Sequence, residues 1–149
     1  MKNILIIGCG LLGSSLLRRI QKKKIANKIY IYEKSNSNLS KIKRLKIPGQ
    51  IVRKLKDGVK KSDLIILCTP MSEYKKLILE MNKFLSSKTI ITDIGSSKLE
   101  SSKIIKKYLR KDVSWTQSHP IAGSEVNGPE NGKHDMFEKK WCVLIKEKN

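Results

Sequence analysis

The stretch GCGLLGSS, residues 8–15, follows directly on the apolar run at residues 4–7, opens a helical pattern, and precedes an acid, Glu33, twenty residues past its last glycine. A glycine fingerprint is weak alone, but a strand before it, a helix after it and an acid at that distance together mark a dinucleotide site. Each glycine meets a different demand. Gly8 permits the tight turn out of the strand, Gly10 lets backbone approach a pyrophosphate, and Gly13 allows helix to pack closely on strand. The first helical N–H groups, at Leu11, Leu12 and Gly13, lack intrahelical partners and sit at the positive end of the helix dipole, so an anion is held there without a lysine. Glu33 ends the next apolar run, 28–32, where a carboxylate accepts hydrogen bonds from an adenosine ribose and repels a 2′-phosphate. That favours NAD over NADP, although Lys34, Ser35 and Asn36 follow at once and temper the preference.

Outward from this motif, short β-rich runs alternate with amphipathic stretches. Strands are expected at 3–7, 28–32, 63–68 and 89–93, and helices at 11–24, 38–46, 72–85 and 98–109. Such alternation implies an α/β, Rossmann-type doubly wound, mostly parallel sheet with helices on both faces. The runs at 64–67 and 89–91 lack period-two alternation, as strands covered on both faces do. Ile47-Pro48-Gly49 breaks the second helix before a weak strand around 50–53. Past Arg110, strands are expected at 113–117 and 140–146, with an irregular stretch at 118–134 between them. Ligands bind where strand carboxyl ends gather at one edge, which places the chemistry in the loops after residues 7, 32, 68 and 93.

With 149 residues the chain is one domain in length, and no apolar run reaches the roughly 20 residues that span a bilayer. No signal-peptide architecture precedes the first strand, so the expectation is a cytoplasmic protein with no membrane partner. Cys9, Cys68 and Cys142 are odd in number and not spaced as metal ligands, which leaves neither a disulfide framework nor a metal site. The net charge of +19 raises nucleic acid as a partner. However, only Arg18, Arg19, Arg44, Arg53 and Arg110 of the 32 basic residues are arginine, and the lysines are spread over nearly every helix. A solvated lysine coat with no specific nucleic-acid partner is the reading adopted.

A second, longer motif lies in residues 118–144, SHPIAGSEVNGPENGKHDMFEKKWCVL, together with TDIGSSK at 92–98. The His-Pro-x-x-Gly-x-Glu loop, the Gly-Pro that follows it and the aromatic before a short strand resemble the prephenate and arogenate dehydrogenases of tyrosine biosynthesis. The likeness is to their broad-specificity cyclohexadienyl branch and covers essentially the whole chain. Other dehydrogenases or imine reductases of similar plan would not be expected to carry this loop. The resemblance implies that residues 1–149 are the NAD-binding Rossmann domain, that the family's C-terminal helical dimerisation domain is absent, and that the full architecture is a homodimer.

It further implies a small-molecule substrate, prephenate or arogenate, and an oxidative decarboxylation. Hydride leaves C4 of the cyclohexadienyl ring for the nicotinamide, carbon dioxide departs and the ring aromatises. By the same resemblance His119 takes the proton of the C4 hydroxyl, a task suited to an imidazole. Ser96 bridges substrate hydroxyl and nicotinamide ribose, and Glu125 helps organise the substrate pocket. Thr69 and Pro70, following the 63–68 strand on the same edge, are placed to pack against the cofactor. Asp93 orients the glycine turn that follows it, His134 is a surface residue, and Trp115 and Trp141 belong to the core or an interface. The competing reading from a different class is a stand-alone NAD-binding or regulatory module without catalysis.

Overall fold

The computed structural model describes residues 3–145. Within them seven strands form one sheet: β1 (Asn3–Ile7), β2 (Lys28–Tyr32), β3 (Gln50–Ile51), β4 (Leu64–Leu67), β5 (Ile90–Asp93), β6 (Ser114–Pro120) and β7 (Cys142–Ile145). Their spatial order is β3-β2-β1-β4-β5-β6-β7, parallel throughout except that β7 runs antiparallel to β6. Among the described residues five α-helices accompany them: α1 (Leu11–Lys22), α2 (Asn36–Arg44), α3 (Leu55–Val59), α4 (Tyr74–Met81) and α5 (Lys98–Tyr108). No helix among the described residues is long and apolar enough to cross a membrane.

The side-chain period of the strands divides the core in two. Ile4, Ile6, Ile29, Ile31 and Ile66 point to one face, where Leu17 and Ile20 of α1 and Ile42 of α2 close over them. Leu5, Ile7, Tyr30, Ile65, Leu67 and Ile91 point to the other, against Leu55 and Val59 of α3, Leu77, Ile78 and Met81 of α4, and Ile105 of α5. Both faces of β1, β2 and β4 are therefore buried, which is why these strands read as continuous apolar runs.

Several expected boundaries move, each for a local reason. The first helix stops at Lys22 because Lys24 takes a left-handed conformation, φ 51°. The second starts two residues early, at Asn36, because the Ser35 hydroxyl accepts the N–H of Asn38 and caps it. The helix anticipated at 72–85 is a 3-10 turn, Met71–Glu73, followed by the shorter α4, and α3 was not anticipated at all. The largest shift lies in β6, which runs three residues beyond 117. Ser118, His119 and Pro120 pair with Leu144, Val143 and Cys142 of β7, so His119 sits on a strand and not in a loop. The last residue of the strand anticipated at 140–146 lies outside the described residues.

Helix α1 rests directly on the turn that feeds it. Gly8 has φ 89°, and a Cβ on it would come within 2.8 Å of the Cys68 carbonyl oxygen. A Cβ on Gly13 would collide with the carbonyl oxygen of Gly8. Alanine at 13 would gain about 1 kcal/mol of helix propensity, but the collision is with backbone that cannot yield, so the clash wins. Gly13→Ala is expected to lower stability by about 1–3 kcal/mol, read as a fall in the urea midpoint at unchanged slope. A midpoint at or above that of the unsubstituted chain would show that α1 has room to move.

Candidate functional site

The chain leaves β1 toward β2 on one side and returns to β4 on the other, so the carboxyl ends of β1 and β4 bound a crevice at the switch point. A cleft of about 640 Å³ opens there. Gly10, Leu11 and Leu12 line it from the glycine turn, Cys68, Thr69 and Pro70 from the end of β4, and Gly123, Ser124, Asn127 and Gly128 from the loop after β6. Asn38 and Lys41 of α2 complete one wall and Ile94 the other. A second cavity of about 290 Å³ holds Gly8, Glu33, Thr69 and Pro70. Of the expected cofactor residues, Gly10, Leu11, Leu12, Thr69 and Pro70 line the cleft and Gly8 and Glu33 line the second cavity, which shares Thr69 and Pro70 with it, while Gly13 lines neither.

An anionic nucleotide fits this arrangement on three counts. The first turn of α1 has no acidic residue and no side-chain cap. A Cβ at Gly10 would meet no protein atom within 4 Å, so no contact within the described chain requires glycine there. The Thr69 hydroxyl oxygen is buried without a hydrogen-bond partner among the described residues. Such a group costs free energy unless something pairs with it.

Glu33 is already engaged. Its carboxylate accepts the N–H of Cys9 at 2.7 Å and of Ser35 at 2.8 Å, tying the glycine turn to the loop after β2. A carboxylate has about four acceptor sites, so Glu33 retains capacity for a ribose hydroxyl. The buried Cys9 thiol is pushed up to about 12 by desolvation first and the nearby Glu33 charge second, while Arg18 opposes them. Cys9 is therefore an inert neutral thiol that fits a narrow turn.

His119 and Ser96 do not line the cleft. Ser96 is exposed in the loop between β5 and α5. His119 lies on the β6 face shared with Trp115 and Gln117, and its Nδ1 is buried without a partner among the described residues. What joins them is a cluster that sequence reasoning saw only in part. Asp93, fully buried, accepts from Lys98 Nζ at 2.7 Å, from Tyr74 Oη and Gly95 N at 3.2 Å each, and from Trp115 Nε1 at 3.3 Å. Burial first, and the Asp93 charge second, push the Tyr74 phenol well above its ordinary value. Lys98 Nζ also donates to the Ser118 carbonyl oxygen at 2.7 Å, and the Ser118 hydroxyl donates to the Asp93 carbonyl oxygen at 2.6 Å. The cluster thereby grips the residue before Ser96 and the residue before His119. Asp93 orients the turn, as its position suggested, and Lys98 was missed. The available signal was a lysine in the first turn of a helix, where the dipole disfavours a cation unless a carboxylate holds it.

Glu125 is exposed on the loop after β6, between Ser124 and Asn127 of the cleft wall, without itself lining the cleft. Farther along, that loop is fastened to the two helices beside the glycine turn. Lys133 N donates to Ser15 Oγ at 3.0 Å, Lys41 pairs with Glu130 at 2.5 Å, and Arg19 pairs with Glu138. Trp115 is in the core as expected, whereas Trp141 is 84% exposed and belongs to no core.

A family model described as prephenate dehydrogenase, nucleotide-binding domain, matches residues 16–149. The chain is 31% identical over 143 residues to the cyclohexadienyl dehydrogenase of Zymomonas mobilis, covering 96% of this chain and 48% of that protein. It is 32% identical over 149 residues to the prephenate dehydrogenase of Lactococcus lactis, covering 99% of this chain and 42% of that one. The crystal structure of prephenate dehydrogenase from Aquifex aeolicus in complex with hydroxyphenyl propionate and NAD+ matches with a TM-score of 0.83 at 26% identity, over 99% of this chain and 51% of that one. The chain spans about half the length of the proteins it matches.

Asp93→Asn removes the counter-charge of a largely buried ammonium and is expected to cost about 3–5 kcal/mol in urea unfolding. Adding Lys98→Met should recover part of that loss, because the double variant leaves no buried charge unpaired. A loss below 1 kcal/mol for the single variant would mean that the cluster carries little of the fold.

Proposed function

The chain belongs to the prephenate dehydrogenase family, and on that premise we propose that it is the cofactor-binding half of an NAD-dependent enzyme that oxidatively decarboxylates prephenate, or arogenate, in tyrosine biosynthesis. The products would be 4-hydroxyphenylpyruvate or tyrosine. The observation that carries this reading is that one sheet edge holds both the glycine-turn cleft and His119, with the buried Asp93–Lys98 pair between them.

Leu11, Leu12 and Gly13 would hold the diphosphate through the free N–H groups of α1, and Gly10 would admit it without steric cost. Glu33 would take the adenosine ribose, and the Thr69 hydroxyl would find in the cofactor the partner it lacks among the described residues. NAD, when bound, supplies the acceptor for the hydride that leaves C4 of the substrate ring. His119 receives the proton of the C4 hydroxyl as carbonyl character develops there. Its place on a hydrogen-bonded strand, with the preceding carbonyl held by Lys98, fixes the imidazole more firmly than a loop would. Ser96, one residue past a backbone N–H fixed by Asp93, orients the same hydroxyl. Glu125 helps to organise the substrate pocket from the loop that closes the cleft.

Titration with NADH and with NADPH, followed by energy transfer from Trp115 and Trp141 to the nicotinamide, tests the cofactor half. Saturable binding with NADH preferred is expected, and binding of neither would remove the proposal. Gly10→Val should abolish that binding while leaving the urea midpoint nearly unchanged. The catalytic half is tested in a protein carrying this chain with the full length of its relatives. There His119→Asn should reduce kcat by roughly two to four orders of magnitude with NAD affinity retained. Equal loss of both would make His119 structural.

A further inference from the structure

Among the thirteen residues lining the large cleft, Lys41 carries the only charged side chain. It lies in the last turn of α2, where a lysine is free to extend into water. It does not do so. Its ammonium is held by Glu130 at 2.5 Å, on the 3-10 turn Pro129–Asn131 of the loop after β6 that also lines the cleft. The ion pair holds the Glu130 carboxyl below the ordinary carboxylate range.

The loop is shaped around that carboxylate. Gly128 has φ 93°, a backbone conformation that favours glycine, and the Glu130 carboxylate packs over the space a side chain there would take. Pro129, next to it in the chain, is buried. On the far side Gly132 leaves no space for a methyl group against Ser14 and Arg18, and Lys133 N donates to Ser15 Oγ. The segment from Gly128 to Lys133 is thus fastened to α1 and α2 at once, straddling the end of the cleft next to the glycine turn.

We propose that Lys41 is a direct ligand of the dinucleotide's diphosphate, and that Glu130 is a positioning residue that keeps the ammonium at the cleft wall. This rests on the cofactor reading above and adds a cation to a site that otherwise works through backbone N–H groups alone. The chemistry matches on both sides. The first turn of α1 offers donors and partial positive charge but no full charge, while a diphosphate carries negative charge beyond what those dipoles balance. A lysine shared between a carboxylate and a phosphate keeps two acceptors for its three donors. It also links occupancy of the cleft to the loop that bears Glu125.

The test is the dissociation constant for NADH, measured across ionic strengths on Lys41→Met, Lys41→Arg and Glu130→Gln, with urea midpoints to confirm folding. Lys41→Met should weaken NADH about tenfold, in the range of one charge-assisted hydrogen bond, and make binding less sensitive to salt. Lys41→Arg should restore most of the affinity, and Glu130→Gln should stay within about threefold of the parent because the ammonium remains. ADP-ribose as competitor should show the Lys41→Met loss, and adenosine, which lacks phosphate, should not. Equal losses in Lys41→Met and Glu130→Gln would assign the effect to the loop and overturn the proposal, as would an unchanged constant in Lys41→Met. Failure of the unsubstituted chain to bind NADH would overturn the cofactor reading as well, and is distinguished by that control alone.

Discussion

The close seat of α1 on the turn that precedes it is the constraint from which the rest of the architecture follows. With no room for a methyl group at Gly8 or Gly13, the helix axis points its first N–H groups into the crevice between β1 and β4. A side chain at either position would push the helix outward and open the turn. Glu33 then finds the N–H of Cys9 within reach, which ties the end of β2 to the turn. Ser15, one turn into the helix, receives the N–H of Lys133 from a segment more than a hundred residues away. The cleft is therefore built outward from a single close contact, and its walls come from parts of the chain that do not touch in sequence.

What was legible in the sequence was whatever local pattern controls. The runs of β1, β2 and β4 bury both faces, so their apolar continuity reported both their presence and their parallel pairing. The glycine turn was legible because each glycine answers a steric demand within a few residues, and the cleft residues at Thr69 and Pro70 because they follow a strand on the same edge. Helix α3 was not legible: five residues with Gly58 in the last turn carry too little periodicity to show. The extension of β6 was hidden for another reason. Pro120 and the polar Ser118 look like the start of a loop, yet β7 pairs with them across some twenty intervening residues, and past the end of β5 the edge they leave accommodates a proline. Lys98 was missed because its partner lies buried beneath it, a relation that only the turn geometry reveals.

Acids are scarce, 13 against 32 bases, and the structure places several of them as cross-links. Glu73 meets Lys34, Glu130 meets Lys41, Glu138 meets Arg19 and Asp93 meets Lys98. The first three pairs are exposed to solvent, which screens them, so they contribute little to stability. Their effect is geometric: Glu130 and Glu138 join the loop after β6 to α2 and α1, and Glu73 joins the 3-10 turn after β4 to the loop after β2. The fourth is different in kind. Asp93 is inaccessible to water and surrounded by donors, so it resists removal of any one partner and holds the loop after β5 and the end of β6 in one arrangement.

These features leave the two sides of the sheet edge unequal. The cofactor side is closed by the glycine turn, by α2 and by a loop fixed at several points, and its unpaired hydroxyl and open glycine face the same cleft. Beyond β6 the covering stops. All four residues of β7 are exposed, and Trp141 before it is the most exposed large apolar side chain of the described residues. His119 stands at that border, backed by the buried cluster and paired to a strand that is exposed along its length among the described residues. The pairing of Ser118, His119 and Pro120 with β7, and the Lys98 ammonium on the Ser118 carbonyl oxygen, fix the backbone at position 119. A closed crevice and an exposed strand thus belong to one sheet, in a chain that spans about half the length of the relatives it matches.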